Sequence, residues 1–320
     1  MSIRFKDLPE ELTRPSNVYG VWAVVSVLGW LLVLVIAIPI AVTQLSPWML
    51  LILIPLLGGA LHKVLHLIHE CSHDTLFTRT AANRFVGQLS SLLVLLRFDA
   101  FVDLHMEHHR RQGEATDPQV VDYDISASES RLVVAWRLFQ PLFGLSLFKV
   151  FQFNNLSAGT SAEEPGVGRG STERTRAFVP RGIALLLVHV PIVYIVSAGG
   201  EVIWLIPAYH LTGITFGAFF TRVRSFVEHV SPTRPNVPYV RSHRFNPFDW
   251  FFFFSLNFNC HAEHHRFPQV PAVHLPRICV ILGEDESFQA GHSSSVMATL
   301  WNWFRENAQP PATQPQIQTP

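Results

Sequence analysis

Charge is scarce in this chain: only 15% of its 320 residues are Asp, Glu, Lys or Arg, against about 25% in an ordinary soluble domain. That shortage excludes a small domain wrapped in a charged, solvent-facing shell. The formal net charge is zero, so there is no electrostatic footprint for a nucleic-acid partner. Lysine is nearly missing, three residues against 21 arginines, and no mechanism follows from that bias. Cysteine is rare and odd in number: Cys71, Cys260 and Cys279, with no CxxC pair. Neither a disulfide framework nor a thiolate zinc motif is indicated. Cys71 and Cys260 lie in or beside histidine clusters, which leaves a metal role open beside the plainer one of small reduced side chains packed in the interior.

What the chain has instead is apolar. Hydrophobic residues make up 48% of it, with 25 Phe and 8 Trp, and the mean hydropathy is +0.24. Residues 1–17 are a polar segment. The run 18–42 is long enough to cross a bilayer, which takes roughly 20 residues, and too long for a signal-peptide core. After a short turn at Gln44, Ser46 and Pro47, residues 48–68 form a second span. Residues 85–96 are too short to span and read as re-entrant, interfacial or buried. Residues 131–153 mix Arg and Lys with large apolar side chains, as a surface-lying helix does, and 157–176 read as an exposed loop. A second hairpin is expected from spans 178–198 and 202–220 about Gly199-Gly200. The aromatic run Trp250–Phe254 is too short to span. The sequence therefore predicts an all-α integral membrane fold, four transmembrane helices in two hairpins with a helical cap. The membrane domain covers 18–277, followed by a segment 278–308 and a Pro- and Gln-rich disordered tail 309–320. Both short turns lack Lys and Arg, whereas the other connections are Arg-rich, so the positive-inside rule puts the cap in the cytoplasm.

Nine histidines carry the chemical signal. They read His69-Glu-Cys-Ser-His73, His105-Met-Glu-His108-His109 and His261-Ala-Glu-His264-His265, with an outlier, His229, in Phe226-Val-Glu-His229. Residues at i, i+3 and i+4 share a helix face, so each cluster can aim its imidazoles at one point. Neutral imidazole suits iron, copper, nickel and zinc. A tetrahedral zinc needs three or four protein ligands; nine imidazoles fit two metals that keep positions open for chemistry. All four elements fall on the same side, beyond the ends of spans two and four. His62 and His66 continue the face of His69 and His73 and read as outer groups or proton carriers. His189, His210, His243, His274 and His292 read as ordinary hydrogen-bonded residues.

An all-imidazole site brings no negative charge, and two divalent ions would leave about four positive charges among apolar helices, which is costly without nearby anions. Glu70, Glu107, Glu228 and Glu263 each adjoin a candidate ligand, and Asp74, Asp99, Asp103 and Asp117 lie near the first two clusters. Carboxylates that accept the far N–H of a ligating imidazole fix its tautomer and raise its basicity. Glu70, Glu107, Glu228, Glu263, Asp74 and Asp117 are assigned that role here.

These residues resemble the membrane fatty acid desaturase family, whose members carry one HxxxH box and two HxxHH boxes around a di-iron centre. Here the boxes are HECSH, HMEHH and HAEHH. The layout is similar over about residues 18–277: two spans, two boxes about thirty residues apart, two spans, a third box. His229 matches a further iron-binding histidine that the family places before the third box. The resemblance implies two iron ions and O2 as co-substrate, with hydrogen abstracted from a methylene of a lipid or acyl chain. It also implies a separate electron donor, a ferredoxin or a b-type cytochrome, since no fused haem or iron–sulfur motif is found.

The stretch HMEHHRRQGEATDP, with Arg-x-Arg-Ser before the Val-Glu-His229 element, is similar to bacterial and sphingolipid desaturases. The Thr-Asp-Pro after box two is also similar to carotenoid ketolases, although box one departs from their pattern. A fatty acyl desaturase is the reading expected, a hydroxylase or ketolase of a carotenoid or other lipid the alternative. A non-catalytic metal-binding or transport protein stands behind both, because transporters hold ionisable ligands near the bilayer midplane and these clusters begin where the apolar runs end.

Overall fold

The computed structural model describes residues 3–114, 116–119, 130–146, 204–229, 240–283, 288 and 291–306. The span expected at 178–198, the Gly199-Gly200 turn, the loop 157–176, the tail 309–320 and His189 lie outside the described residues. The described chain is mostly helical. Helix α1 (Asn17–Ile40) starts at Ser16, whose hydroxyl accepts from Tyr19 N. It buries Ala23, Val27, Leu31, Leu34 and Ile38, one stripe at steps of three and four, against α2. Its other side leaves Val21, Trp22, Val25, Leu32, Val33 and Ile36 exposed. Exposed apolar surface on that scale is the mark of a membrane face. Helix α2 (Leu50–Ser72) is likewise apolar. The stretches Glu10–Leu45 and Pro47–Ser72 are each long and apolar enough to cross a bilayer.

Helices α3 (Thr80–Leu93) and α4 (Phe98–Arg111) meet at 104° and pass the same test only when taken together, as a broken span or a re-entrant pair. The break contains Leu95 in the left-handed region, φ 57°. It turns the chain back so that α4 approaches α2. Where the sequence predicts a short non-spanning run at 85–96, the structure places the end of α3 and this bend.

A surface helix α5 (Arg131–Phe139) follows. Then α6 (Leu205–Thr212), a π-helical turn (Gly213–Gly217) and α7 (Ala218–Glu228) form one continuous helical run against α2. One of two adjacent glycines, Gly58, permits that contact. A Cβ on Gly58 would fall 2.3 Å from Phe216 Cβ and 3.1 Å from its carbonyl carbon, whereas one on Gly59 would meet nothing nearer than 3.7 Å. Short elements complete the cap: α8 (Pro247–Phe252), α9 (His261–Arg266), α10 (Leu275–Gly283) and α11 (Val296–Glu306). Strands β1 (Arg241–His243) and β2 (Gly291–Ser293) pair in parallel with Ser242 opposite His292. Among the described residues the structure thus contains two or three candidate spans, and one of the four expected lies outside them.

Candidate metal centre

Each histidine cluster is delivered by a different local device. His69 stands in the last turn of α2 and His73 caps its end, one turn on. His105, His108 and His109 share one face of α4, with His105 and His108 buried. His229 follows the last residue of α7, where the backbone turns extended (φ −106°, ψ 153°) and bridges Val240. Box three makes up most of α9. Ahead of it, Leu256 and Asn257 take left-handed conformations, φ 53° and 62°; a non-glycine residue there is strained and held by its surroundings. Asn257 Nδ2 donates to Ala272 O at 3.0 Å, which ties that turn to the loop beyond the box.

The nine imidazoles converge in two adjoining sets. Ligand atoms of His69, His73, His105, His109 and His264 lie within 4.8 Å of one another. In the other set, His108, His229 and His265 meet the same limit, and His261 Nε2 lies 3.0 Å from His229 Nε2 and 3.1 Å from His265 Nε2. The sets touch where the His109 and His265 rings stand 4.4 Å apart. Several of these contacts cannot all be hydrogen bonds. A ring nitrogen carries either one proton or one lone pair, yet His105 Nε2 lies 2.9 Å from His73 Nε2 and 3.1 Å from His109 Nε2. His109 Nε2 is also 3.2 Å from His264 Nε2, and buried His69 Nε2 has no hydrogen-bond partner among the described residues. Neutral imidazoles with their lone pairs turned inward resolve the conflict if a cation lies at the focus. Burial holds His229, His261, His264 and His265 well below the usual imidazole range. They are therefore neutral at physiological pH, each with one nitrogen lone pair.

The six neighbouring acids divide. Asp117 presents both oxygens to His108 Nδ1, at 2.8 and 2.9 Å, with both side chains buried. Glu228 is fully buried but lies on the inner side: its Oε2 is 3.5 Å from His261 Nε2, and its Oε1 accepts from Arg224 Nε at 2.8 Å. Glu70 comes no nearer to His69 Nδ1 than 3.7 Å. Its Oε2 instead accepts from Ala272 N and Thr75 Oγ1, both at 3.0 Å, which fastens the end of α2 to the loop after box three. Glu263 is buried and accepts from Ser242 Oγ. Glu107 pairs with Arg110 and Arg111 on an exposed face. Asp74 is exposed in a left-handed turn, φ 59°. Only Asp117 thus reaches the far nitrogen of a box imidazole; the Nδ1 atoms of His261, His264 and His265 have no hydrogen-bond partner among the described residues.

His62 and His66 turn to other partners in the interior, although His66 Nε2 meets no hydrogen-bond partner among the described residues. His62 meets Thr221 Oγ1 at 2.9 Å and Phe253 O at 3.1 Å; His66 meets Ser255 Oγ at 2.6 Å and stacks on Phe258 at 4.4 Å. Phe258 also stands edge-on to His69 at 4.6 Å, with the Arg224 guanidinium 5.0 Å from its ring. Neither Phe258 nor the Arg224–Glu228 pair stood out in the sequence, although the i, i+4 spacing of that pair was a usable signal.

Beside the histidines lies a cavity of about 340 Å³. Its apolar wall includes Leu61, Leu65, Leu93, Phe101, Leu104 and Ile214, and His69, His105, His108, His229 and His261 line it as well. Members of both imidazole sets therefore face the same apolar space.

A model of the fatty acid desaturase family matches residues 46–291. The chain is 27% identical over 248 residues to a sphingolipid delta(4)-desaturase of Drosophila melanogaster, which covers 74% of this chain and 67% of the relative. It is also 27% identical over 259 residues to a sphingolipid delta(4)-desaturase/C4-monooxygenase of Rattus norvegicus, covering 78% and 71%.

Proposed function

Since the chain belongs to the fatty acid desaturase family and is accordingly a membrane oxidoreductase, we propose that it is an O2-dependent di-iron desaturase that introduces a double bond into the alkyl chain of a lipid. The observation that carries this is the shared wall: an apolar cavity bordered by histidines of both sets. His69, His73, His105, His109 and His264 would hold one iron, and His108, His229, His261 and His265 the other. Bound there, the irons supply the reduction of O2 and the oxidising power to remove hydrogen from an unactivated C–H bond.

The protein's own part is positioning and exclusion of water. The leucines and Phe101 hold a carbon chain by burial, worth roughly 25 cal/mol per Å² of apolar area removed from water. They also keep solvent from the reacting carbons. Asp117 accepts a hydrogen bond from the Nδ1–H of His108 and so leaves its Nε2 lone pair facing the centre. Glu228 brings negative charge to a site whose ligands bring none. Arg224 holds that carboxylate in place. Electrons come from a separate donor, a ferredoxin or a b-type cytochrome, docking on the cytoplasmic face to which the positive-inside rule assigns the cap. Four spans in two hairpins remain the proposed topology.

Hydroxylation is the second outcome, favoured by the double name of the rat relative. The same hydrogen abstraction followed by transfer of oxygen gives an alcohol instead of an alkene. Mass spectrometry of lipids from a host expressing the chain decides between them. Products two hydrogens lighter support desaturation; products heavier by one oxygen from 18O2 assign hydroxylation. Unchanged lipids with an iron-loaded enzyme and a competent donor would overturn both.

A further inference from the structure

Behind box three, on the side of Glu263, stands a second group of side chains of metal-ligating type that the nine-histidine centre does not use. Cys260 immediately precedes α9, and Cys279 lies on α10. Their sulfurs and one carboxylate oxygen of Glu263 all lie within 4.8 Å of one another. Cys260 and Glu263 are buried and Cys279 is partly so; all three cysteines of the chain are free thiols. Among the described residues Glu263 Oε1 has no hydrogen-bond partner, and His292 Nε2 lies 3.4 Å from it.

The strand register explains that last neighbour. Ser242, whose Oγ accepts from Ala262 N at 2.9 Å and donates to Glu263 Oε2, is paired with His292 across β1 and β2. The strand pair that fixes one Glu263 oxygen therefore delivers an imidazole to the other.

Two thiols and a carboxylate brought together by α9 and α10, with the β2 imidazole of His292 beside that carboxylate, supply the donors for a four-coordinate ion. A buried carboxylate facing thiols without a cation is costly. A divalent ion removes that cost by taking the thiols as thiolates, with their protons released to solvent on binding. Thiolate sulfur selects zinc over magnesium or calcium, and four closed ligands are the pattern of a structural zinc. We propose that Cys260, Glu263, Cys279 and His292 form a structural zinc site that fastens box three to α10 and to β2. Partly exposed Cys279 and His292 give the ion its way in. Two thiolates and one carboxylate exceed the zinc charge by one. The site thereby places a net negative group beside His261 and His264, whose own centre lacks anions.

The test is elemental analysis and zinc-edge X-ray absorption on the full-length, iron-loaded chain purified with zinc present. Expected are one zinc per chain beyond the iron, with zinc–sulfur scattering at about 2.3 Å, and loss of that zinc in a Cys260→Ser/Cys279→Ser variant. If that variant does not fold, His292→Ala, at the exposed edge, gives the same reading through faster loss of zinc to a chelator. Absence of zinc beyond the iron in the zinc-loaded wild type would overturn the proposal. So would zinc with only nitrogen and oxygen neighbours, or a Cys260–Cys279 disulfide recovered from the native protein. Iron measured in the same sample separates its failure from failure of the di-iron reading.

Discussion

Replacing Asp117 with Asn perturbs the centre at one atom, and the local geometry sets the outcome. In the wild type, Asp117 Oδ1 accepts from Gln119 N at 2.8 Å while both oxygens face His108 Nδ1 at 2.8 and 2.9 Å. An Asn side chain keeps an acceptor for Gln119 N only by leaving its oxygen there. Its NH2 group then turns toward His108 Nδ1. Facing a donor, Nδ1 must hold a lone pair, so the ring proton moves to Nε2, the atom that would otherwise bind metal. The change is nearly isosteric and removes one buried charge, so the fold should survive. Loss of an outer carboxylate on a ligating histidine typically costs ~10–100-fold in metal affinity or activity, about 1.4–2.7 kcal/mol. The assay is iron per chain after controlled dilution, alongside product formation with saturating donor. Asp117→Asn should lose iron from the set containing His108 first and turn over at least tenfold more slowly. Full iron content with wild-type turnover would refute the argument that Asp117 sets the His108 tautomer.

Three further outcomes test the packing, the cavity and the burial. Gly58→Ala should destabilise the fold by ~1–3 kcal/mol through overpacking of the α2 contact with the π-helical turn, while Gly59→Ala should stay near wild type; equal thermal midpoints in detergent would dismiss the close approach. Ile214→Trp should fill part of the cavity, lower turnover on long-chain lipids more than on shorter ones and leave iron content intact; an unchanged chain-length profile would remove the cavity from the substrate path. His243 is buried against Thr299 and beside Arg241, and burial with that positive neighbour lowers it to about 4. The unfolded chain binds this proton from about pH 6.5, so stability is complete above that pH and falls toward pH 4, by up to about 1.4 kcal/mol per pH unit. His243→Gln should flatten part of that slope in acid denaturation; an identical slope would show that the imidazole does not contribute.

The convergence of the histidines was legible because HxxxH and HxxHH spacing is a property of single helices, and each box sits on or at the end of one. What surrounds the boxes was less legible. Glu107 and Glu263 occupy the same position in HMEHH and HAEHH, yet one pairs with arginines in solvent and the other is buried against Ser242. Burial comes from the tertiary partner, which the motif does not encode. Glu70 likewise met a backbone N–H at Ala272, 202 residues away, where its neighbour His69 had been expected. Cys260 and Cys279 showed no local motif because their proximity depends on how α10 folds back beside α9. The apolar runs identified α1 and α2 by length alone, whereas the 104° bend after Leu93 rests on a left-handed Leu95 that hydropathy does not register.

The proposed centre holds two irons side by side on nine imidazoles. Its most direct test is the Mössbauer spectrum of 57Fe-loaded, purified protein together with its metal content. Two irons per chain are expected, nitrogen-rich and magnetically coupled once oxidised, with His69→Ala and His229→Ala each depleting iron. A reduced protein that holds no iron, or one isolated iron unaffected by His229→Ala, would contradict it.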